Sequence, residues 1–414
     1  MAENIQKHLK HNVIVNLADG TFFGFGLGFS SFNTILPLFV STLTNSAVLI
    51  GLIPAIHNMG WQLPQLFTAH KISRMPQFKP YVIMMTVQER IPFLGLALVA
   101  FLLPTIGKTA ALFATFFFLI WQGLGGGLTA NGWQNMVSKI IPSDIRATFF
   151  GFQSAGSNLL ASVGAVMAGY LLEKVSPPTS FMYCFLSTAG LMGFSYFFLT
   201  LTREIATPAP EFEDSKADFW QKVKTILDND APFRWFIVSR MAMQFGMMAQ
   251  AFYIIYAVQF HHLSLSEAGI MTGVLFITQV AANPILGWIS DKWSRSTVLE
   301  GGALAIGAAS LLAMLAPNAG WFYVVIILSG IASTAFWTIG IAISLEFGND
   351  LQRPTYVGLS NTLISPSTII APLIGGWLAD INGFSATFLT STVFAVICAV
   401  LMHLFVHDPQ IKPA

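Results

Sequence analysis

Five ionisable side chains stand inside long apolar runs and set what chemistry the chain can do: Asp19, His57, Glu89, Arg90 and Arg240. Charge at the depth of a bilayer core is costly, so such residues pair with one another, line a wet cavity or hold a proton. Glu89 and Arg90 are adjacent and of opposite sign, which fits a local structural pair. Asp19 lies about six residues into the first apolar run, roughly 9 Å along a helix axis. Arg240 lies at a similar depth in the seventh run. Two readings of Asp19 stay open at this point. Either it forms a static ion pair with Arg240 or Arg90, or it parts from its cation and carries a proton in step with a solute. His57 and Glu89 are further candidates for that proton.

Other reactive patterns fail on context. There is no paired metal-ligand spacing, no G-x-S-x-G elbow and no phosphate loop with the flanking elements it needs. The glycines after Trp121-Gln122 (Gly123, Gly125, Gly126 and Gly127) follow no strand and precede no P-loop lysine. His261-His262 is a lone pair in a loop, and Cys184 and Cys398 fall inside apolar runs as small buried residues. The expectation is therefore no enzyme, no metal and no cofactor.

The elements that hold these residues are membrane helices. The chain is 54% hydrophobic and 9% charged, against roughly 25% charged in a soluble domain. Apolar runs fall at 13–40, 46–69, 81–104, 110–137, 147–172, 179–202, 233–258, 266–289, 297–316, 320–345, 355–379 and 384–406. Each is near the roughly 20 residues a spanning helix needs, so the fold expected is all-α with twelve spans. A net charge of +1 gives no footprint for nucleic acid. The extended polar segment, 203–232, separates residues 1–202 from 233–414. Within it Phe219, Trp220, Val223, Ile226 and Leu227 recur at helical spacing, which predicts a short amphipathic helix on the membrane surface.

Charge sets the orientation. With the N-terminus inside, sixteen of the twenty Lys and Arg fall on the inner side. Lys108 and Lys174 fall outside, and Arg90 and Arg240 lie within spans. Both termini are thus expected in the cytoplasm, in an inner or plasma membrane. The first span carries Gly20, Gly24 and Gly28 at a spacing of four, a face suited to tight helix packing. The second begins after Asn45-Ser46, an N-cap pattern, and holds His57, Asn58, Trp61 and Gln62. Ser264-Leu-Ser-Glu267 is a capping box ahead of the eighth span.

The halves repeat. Arg146-Ala-Thr148-Phe-Phe-Gly151 recurs as Arg353-Pro-Thr355-Tyr-Val-Gly358, and 353 − 146 = 207. Gly169-Tyr170-Leu171-Leu-Glu173 falls on Gly376-Trp377-Leu378-Ala-Asp380 at the same offset. Two pseudo-symmetric six-helix bundles follow. Arg146 and Arg353 belong at the cytoplasmic face, and Gly169 and Gly376 let their helices pack closely.

Gly287, Asp291 and Arg295, spaced by four at the turn after the eighth span, resemble the loop signature of the major facilitator superfamily of transporters. The first-half counterpart is Leu66, His70 and Arg74, at 295 − 74 = 221, with the family's Gly and Asp replaced. The resemblance implies alternating access about a midplane site lined by the first, fourth, seventh and tenth spans. On it, Asn33, Trp121, Gln122, Asn131, Gln250, Tyr253, Trp337 and Thr338 are pocket candidates. It also implies a cytoplasmic gate in which Asp291 caps the eleventh helix and pairs with Arg295 or Arg353. Aromatic and amide side chains suit a small neutral or amphipathic solute. The partners expected are that solute, a coupling proton and the bilayer, with the protein a monomer. Metabolite uptake and drug efflux stay open, as does a non-transporting sensor or structural membrane protein.

Overall fold

The computed structural model describes residues 2–72, 75–206, 224–292, 294–344, 347 and 353–406. Regular structure among them is helical. The helices are α1 (Ala2–Phe29), α2 (Ile35–Leu43), α3 (Ala47–Ile72), α4 (Lys79–Ile140), α5 (Ser143–Lys174) and α6 (Thr179–Thr200). They continue as α7 (Ala231–Gly246), α8 (Tyr253–Phe260), α9 (Leu265–Lys292) and α10 (Arg295–Leu315). The last are α11 (Trp321–Thr334), a π-helical turn (Ala335–Ile339), α12 (Gly340–Ser344), α13 (Arg353–Asn382) and α14 (Phe384–Phe405).

The twelve predicted spans map onto this order. The third and fourth run together as the 62 residues of α4, broken at Gly107, whose φ of 76° and ψ of 166° a residue with a side chain rarely adopts. Eight helices among the described residues are long and apolar enough to cross a membrane. The helices that fall short of that threshold include α1, α3 and the pair α7 and α8, which carry Asp19, His57 and Arg240. Large apolar side chains such as Phe101, Phe113 and Phe152 are more than half exposed, as lipid-facing residues are. This is an integral membrane protein.

Two predicted spans are not continuous. The first breaks at residues 30–34, where the Ser31 carbonyl accepts from the amides of both Thr34 and Leu36. The seventh breaks at 247–252, where Gln250 N donates to Met247 O and Phe252 N to Ala249 O, a tighter winding than an α-helix. Apolar content alone does not reveal such breaks, because every residue in them is also tolerated in a buried helix.

Among the described residues the chain forms two compact units. The first is drawn from Met1–Asn45, Ile53–Glu211 and Leu263–Ile277, the second from Ser46–Leu52, Phe212–His262 and Thr278–Ala414. In the first, α1 packs on α5 and α6. In the second, α7 packs on α13 and α14, so the sequence repeat is also a repeat of pairings. The glycine face of α1 meets α5 directly: a Cβ on Gly20, Gly24 or Gly28 would overlap Gln153, Ser157 or Ala161, respectively. Gly169 likewise lies against Gly269, and Gly376 against the Val48 backbone.

Helix ends are held by carboxylates. Ser264 and Glu267 form the expected capping box, with Ser264 N donating to Glu267 Oε2 at 2.9 Å and Glu267 N to Ser264 Oγ at 3.2 Å. The start of α3 differs from the local cap expected of Ser46. Asp380, far along the chain on α13, accepts from Ala47 N at 2.6 Å, Val48 N at 3.3 Å and Ser46 Oγ at 3.1 Å. A carboxylate against free helix amides also complements the helix dipole. Asp380→Ala is expected to lower stability by about 0.5–2 kcal/mol, the usual range for a lost N-cap. Thermal unfolding in detergent reads this, and an unchanged midpoint would show that the cap contributes nothing.

Candidate functional site

Within the first unit α1, α3, α4, α5 and α6 enclose a cavity of about 290 Å³. Asp19, Phe23, Trp61, Glu89, Arg90, Gly126, Trp133, Gln153, Ser157 and Asn158 are on its wall. Each helix places its residue for a local reason. The bare glycine face of α1 brings Asp19 close to α5, and Gln153 and Ser157, four apart on α5, face that glycine stripe. Gln153 Nε2 then donates to Asn16 O at 2.8 Å.

The charges at this cavity are unevenly paired. Arg90 Nη2 donates to Asp19 Oδ1 at 3.2 Å and to Ser195 Oγ at 2.8 Å, and Ser195 Oγ donates to Asp19 Oδ1 at 2.6 Å. Its Nη1 binds the Thr86 hydroxyl, and its guanidinium lies 5.2 Å from the centroid of the Phe23 ring. Asp19 is therefore paired with Arg90; of the two partners the sequence left open, Arg240 is not the one. Glu89 is left over. It is 8% exposed, its nearest cation is Arg90 Nη1 at 3.9 Å, beyond hydrogen-bond reach, and no hydrogen bond reaches its carboxylate among the described residues.

A second cavity, of about 220 Å³, shares Ser157 and Asn158 with the first. Ser31, Asn33, His57, Asn58 and Phe276 line it. His57 stacks on Phe32 at a centroid distance of 3.9 Å, and its Nδ1 lies 3.0 Å from Gln122 Oε1. Asn33 and His57 thus share one cavity wall, with Gln122 behind His57.

The remaining candidates are placed otherwise. Trp121 Nε1 donates to Gln88 Oε1 at 2.9 Å, and Asn131 Nδ2 to Gln65 O at 3.1 Å. In the second unit Gln250 Nε2 donates to Ser329 Oγ at 2.6 Å and Ser333 Oγ at 2.8 Å. Tyr253 is fully buried, its hydroxyl 2.7 Å from Ser310 Oγ. Thr338 donates to Asn283 Oδ1 at 2.7 Å, and Trp337 lies beside it in the π-helical turn. Arg240 is 1% exposed and its guanidinium stands over Phe336 at 5.1 Å and Phe236 at 5.7 Å. Its Nη1 reaches Ser360 Oγ at 3.5 Å, while Nε and Nη2 find no hydrogen-bond partner among the described residues.

Of the gate residues, Gly287 sits within α9, its carbonyl accepting from Ser290 Oγ at 2.7 Å, and Arg295 opens α10. Arg74 lies outside the described residues, as do the side chains of Arg146, Asp291 and Arg353. Nearby, Tyr356 OH donates to Asp230 Oδ2 at 2.9 Å. Sequence reasoning did not single out Ser195, Gln153, Ser157 or Asn158. A signal was present: hydroxyl and amide residues at 153 and 157 repeat at the spacing of the glycines at 20, 24 and 28.

The family model of the Major Facilitator Superfamily matches residues 89–261 and 236–414. The chain belongs to this superfamily. Multidrug resistance protein 1 of Bacillus subtilis (strain 168) is 29% identical over 153 residues, which is 37% of this chain and 39% of that protein. The matched stretch thus spans about two fifths of that relative's length. Among solved structures, a D-xylose-proton symporter superposes with a TM-score of 0.75 at 15% identity, covering 96% of this chain and 98% of that one. A bacterial homologue of the human lysosomal transporter Spinster gives 0.73 at 15% identity, covering 97% and 98%. At such identity these likenesses show the superfamily's fold of two six-helix bundles.

The pairing makes a stability prediction. Removing one member of a buried pair leaves the other uncompensated, at a cost of about 3–5 kcal/mol. Arg90→Met is expected to destabilise by that order, and the double variant Asp19→Leu/Arg90→Met to recover most of the loss. Thermal unfolding in detergent distinguishes the two. A single variant as stable as the native chain would mean that the pair does not hold α1 to α4.

Proposed function

We propose that this protein is a secondary active transporter, not an enzyme, that moves a small amphipathic organic solute by alternating access of its two halves, coupled to a proton held by Glu89. The observation that carries the reading is the odd count of charges at the first-unit cavity: two carboxylates, Asp19 and Glu89, and one cation, Arg90, already engaged with Asp19. A carboxylate left without a counter-charge in a membrane interior must be neutralised when water is excluded, and a proton does so. Of the readings open for Asp19 the static pair is then the fitting one, and the proton falls to Glu89, one of the further candidates. Family membership supports transport, and the name of the Bacillus relative, a multidrug resistance protein, supports drug-like organic solutes. The halves are residues 1–202 and 233–414, joined by 203–232, in a monomer in an inner or plasma membrane with both termini in the cytoplasm. The excess of Lys and Arg on the inner side supports that orientation.

Reconstituted vesicles test this with a neutral amphipathic probe, chloramphenicol. The native chain is expected to accumulate it under an imposed pH gradient. Glu89→Gln, permanently neutral, is expected to keep equal-concentration exchange and to lose gradient-driven accumulation. Accumulation that survives the substitution would remove Glu89 from coupling, and no movement of any amphipathic probe by the native chain would overturn the transport reading.

A further inference from the structure

The second unit buries a charge that no described residue answers. Arg240 on α7 is 1% exposed, and among the described residues of its unit no carboxylate is buried with it. The buried arginine of the first unit differs, since Arg90 has Asp19. Which nitrogens are left over on Arg240 decides what could bind there. Nη1 reaches Ser360 Oγ at 3.5 Å, whereas Nε and Nη2 have no hydrogen-bond partner among the described residues. These two nitrogens share one edge of the planar guanidinium, and their N–H bonds point the same way. That edge is the fork that takes an anion through two parallel charge-assisted hydrogen bonds.

The surroundings of the fork come from an unusual piece of helix. The π-helical turn at Ala335–Ile339 is of a kind that is rare and gathers at functional sites. It sets the Phe336 ring 5.1 Å from the guanidinium, with Phe236 of α7 at 5.7 Å. Gly340, the next residue, lies against the unpaired side: a Cβ built there would stand 3.7 Å from Nε and 3.8 Å from Nη2, and its three nearest atoms all belong to this guanidinium. A rigid donor pair, two rings and a bare glycine therefore meet at one buried charge.

We propose that the Nε–Nη2 edge of Arg240 binds a small monovalent anion, with chloride as the fitting case. A water molecule could accept from both nitrogens, but it would leave the charge uncompensated, and that is the larger cost. The ring faces offset the charge only in part. One negative charge completes the neutralisation. A dianion would cost more to strip of water and would leave a surplus charge in its turn. Close cover by Phe236, Phe336 and Gly340 favours an ion of a single atom over an organic acid. The anion does for Arg240 what Arg90 does for Asp19, supplied from solution instead of from the chain.

Heat unfolding of the purified full chain in detergent tests this, in sodium gluconate and with gluconate replaced stepwise by chloride at constant ionic strength. The native midpoint is expected to rise saturably, by about 2–4 °C, because a ligand held only by the folded chain stabilises it. Arg240→Met removes the fork and its charge together, and should lose the chloride response. Its midpoint in gluconate should be no lower than that of the native chain, since an apolar side chain of similar reach replaces an uncompensated charge. Gly340→Asp puts a carboxylate beside the same edge and should abolish the response by supplying the negative charge within the chain. It keeps the proposal testable if Arg240→Met does not fold. Equal native midpoints in chloride and gluconate would mean that water alone meets the fork. A folded Arg240→Met or Gly340→Asp chain that responds to chloride like the native one would put the ion at another place. Either result overturns the proposal, and neither bears on whether Glu89 couples a proton to transport.

Discussion

The buried contact between Asp19 and Arg90 is the constraint on which the first half depends. Placing one charged side chain at a bilayer centre costs about 2.5–3.5 kcal/mol on insertion scales. The first unit places three around one cavity. Pairing offsets that cost only if the geometry is held, and here three helices hold it: Asp19 from α1, Arg90 from α4 and Ser195 from α6. Register between these helices is thus set by hydrogen bonds as well as by side-chain packing, which in lipid has no hydrophobic drive between helices. Once Arg90 is committed, Glu89 cannot share it fully, and the unpaired charge follows from the structural pair.

The same geometry depends on small residues. The Gly20, Gly24 and Gly28 face lets the α1 backbone approach Ser157 and Ala161 more closely than any side chain allows. Close approach brings Gln153 to Asn16, one turn from Asp19. A methyl group on this face would push the two helices apart and open the polar cluster to neighbouring lipid or water. Stability and site therefore share one origin, a stripe that carries no chemistry of its own.

Much of this was legible in the sequence, and the parts that were not have physical causes. Span positions, the half-chain repeat and the α1 packing face follow from hydropathy, offset and spacing, all local or periodic properties. Asp19 was singled out because a lone carboxylate in an apolar run demands a partner, but which cation answers it is a long-range contact. The pocket candidates in the second half illustrate the limit. Tyr253 and Gln250 find hydroxyls on their own unit, Ser310 for one and Ser329 and Ser333 for the other. Helices apolar on all sides carry little moment to say which face is inward. Breaks at 30–34 and 247–252 then interrupt the helical phase, which composition does not encode. The helix start after Ser46 was legible, but the carboxylate that accepts from it was not: the donors are local, while Asp380 is more than three hundred residues away.

The repeat makes one further point about how a duplicated backbone divides its labour. Asp19 and Arg240 are equivalent positions, since 240 − 19 = 221, the offset that also relates Arg74 to Arg295. The second half thus holds a cation where the first holds an acid. Its arginine is covered by Phe236 and Phe336 and touches Ser360, which stands 207 residues after Gln153. Guanidinium keeps its charge through any ordinary change of pH, and aromatic faces partly compensate it without offering a group that titrates. One half thus holds a fixed charge in a ring of carbon, and the other holds a paired acid beside an unpaired one.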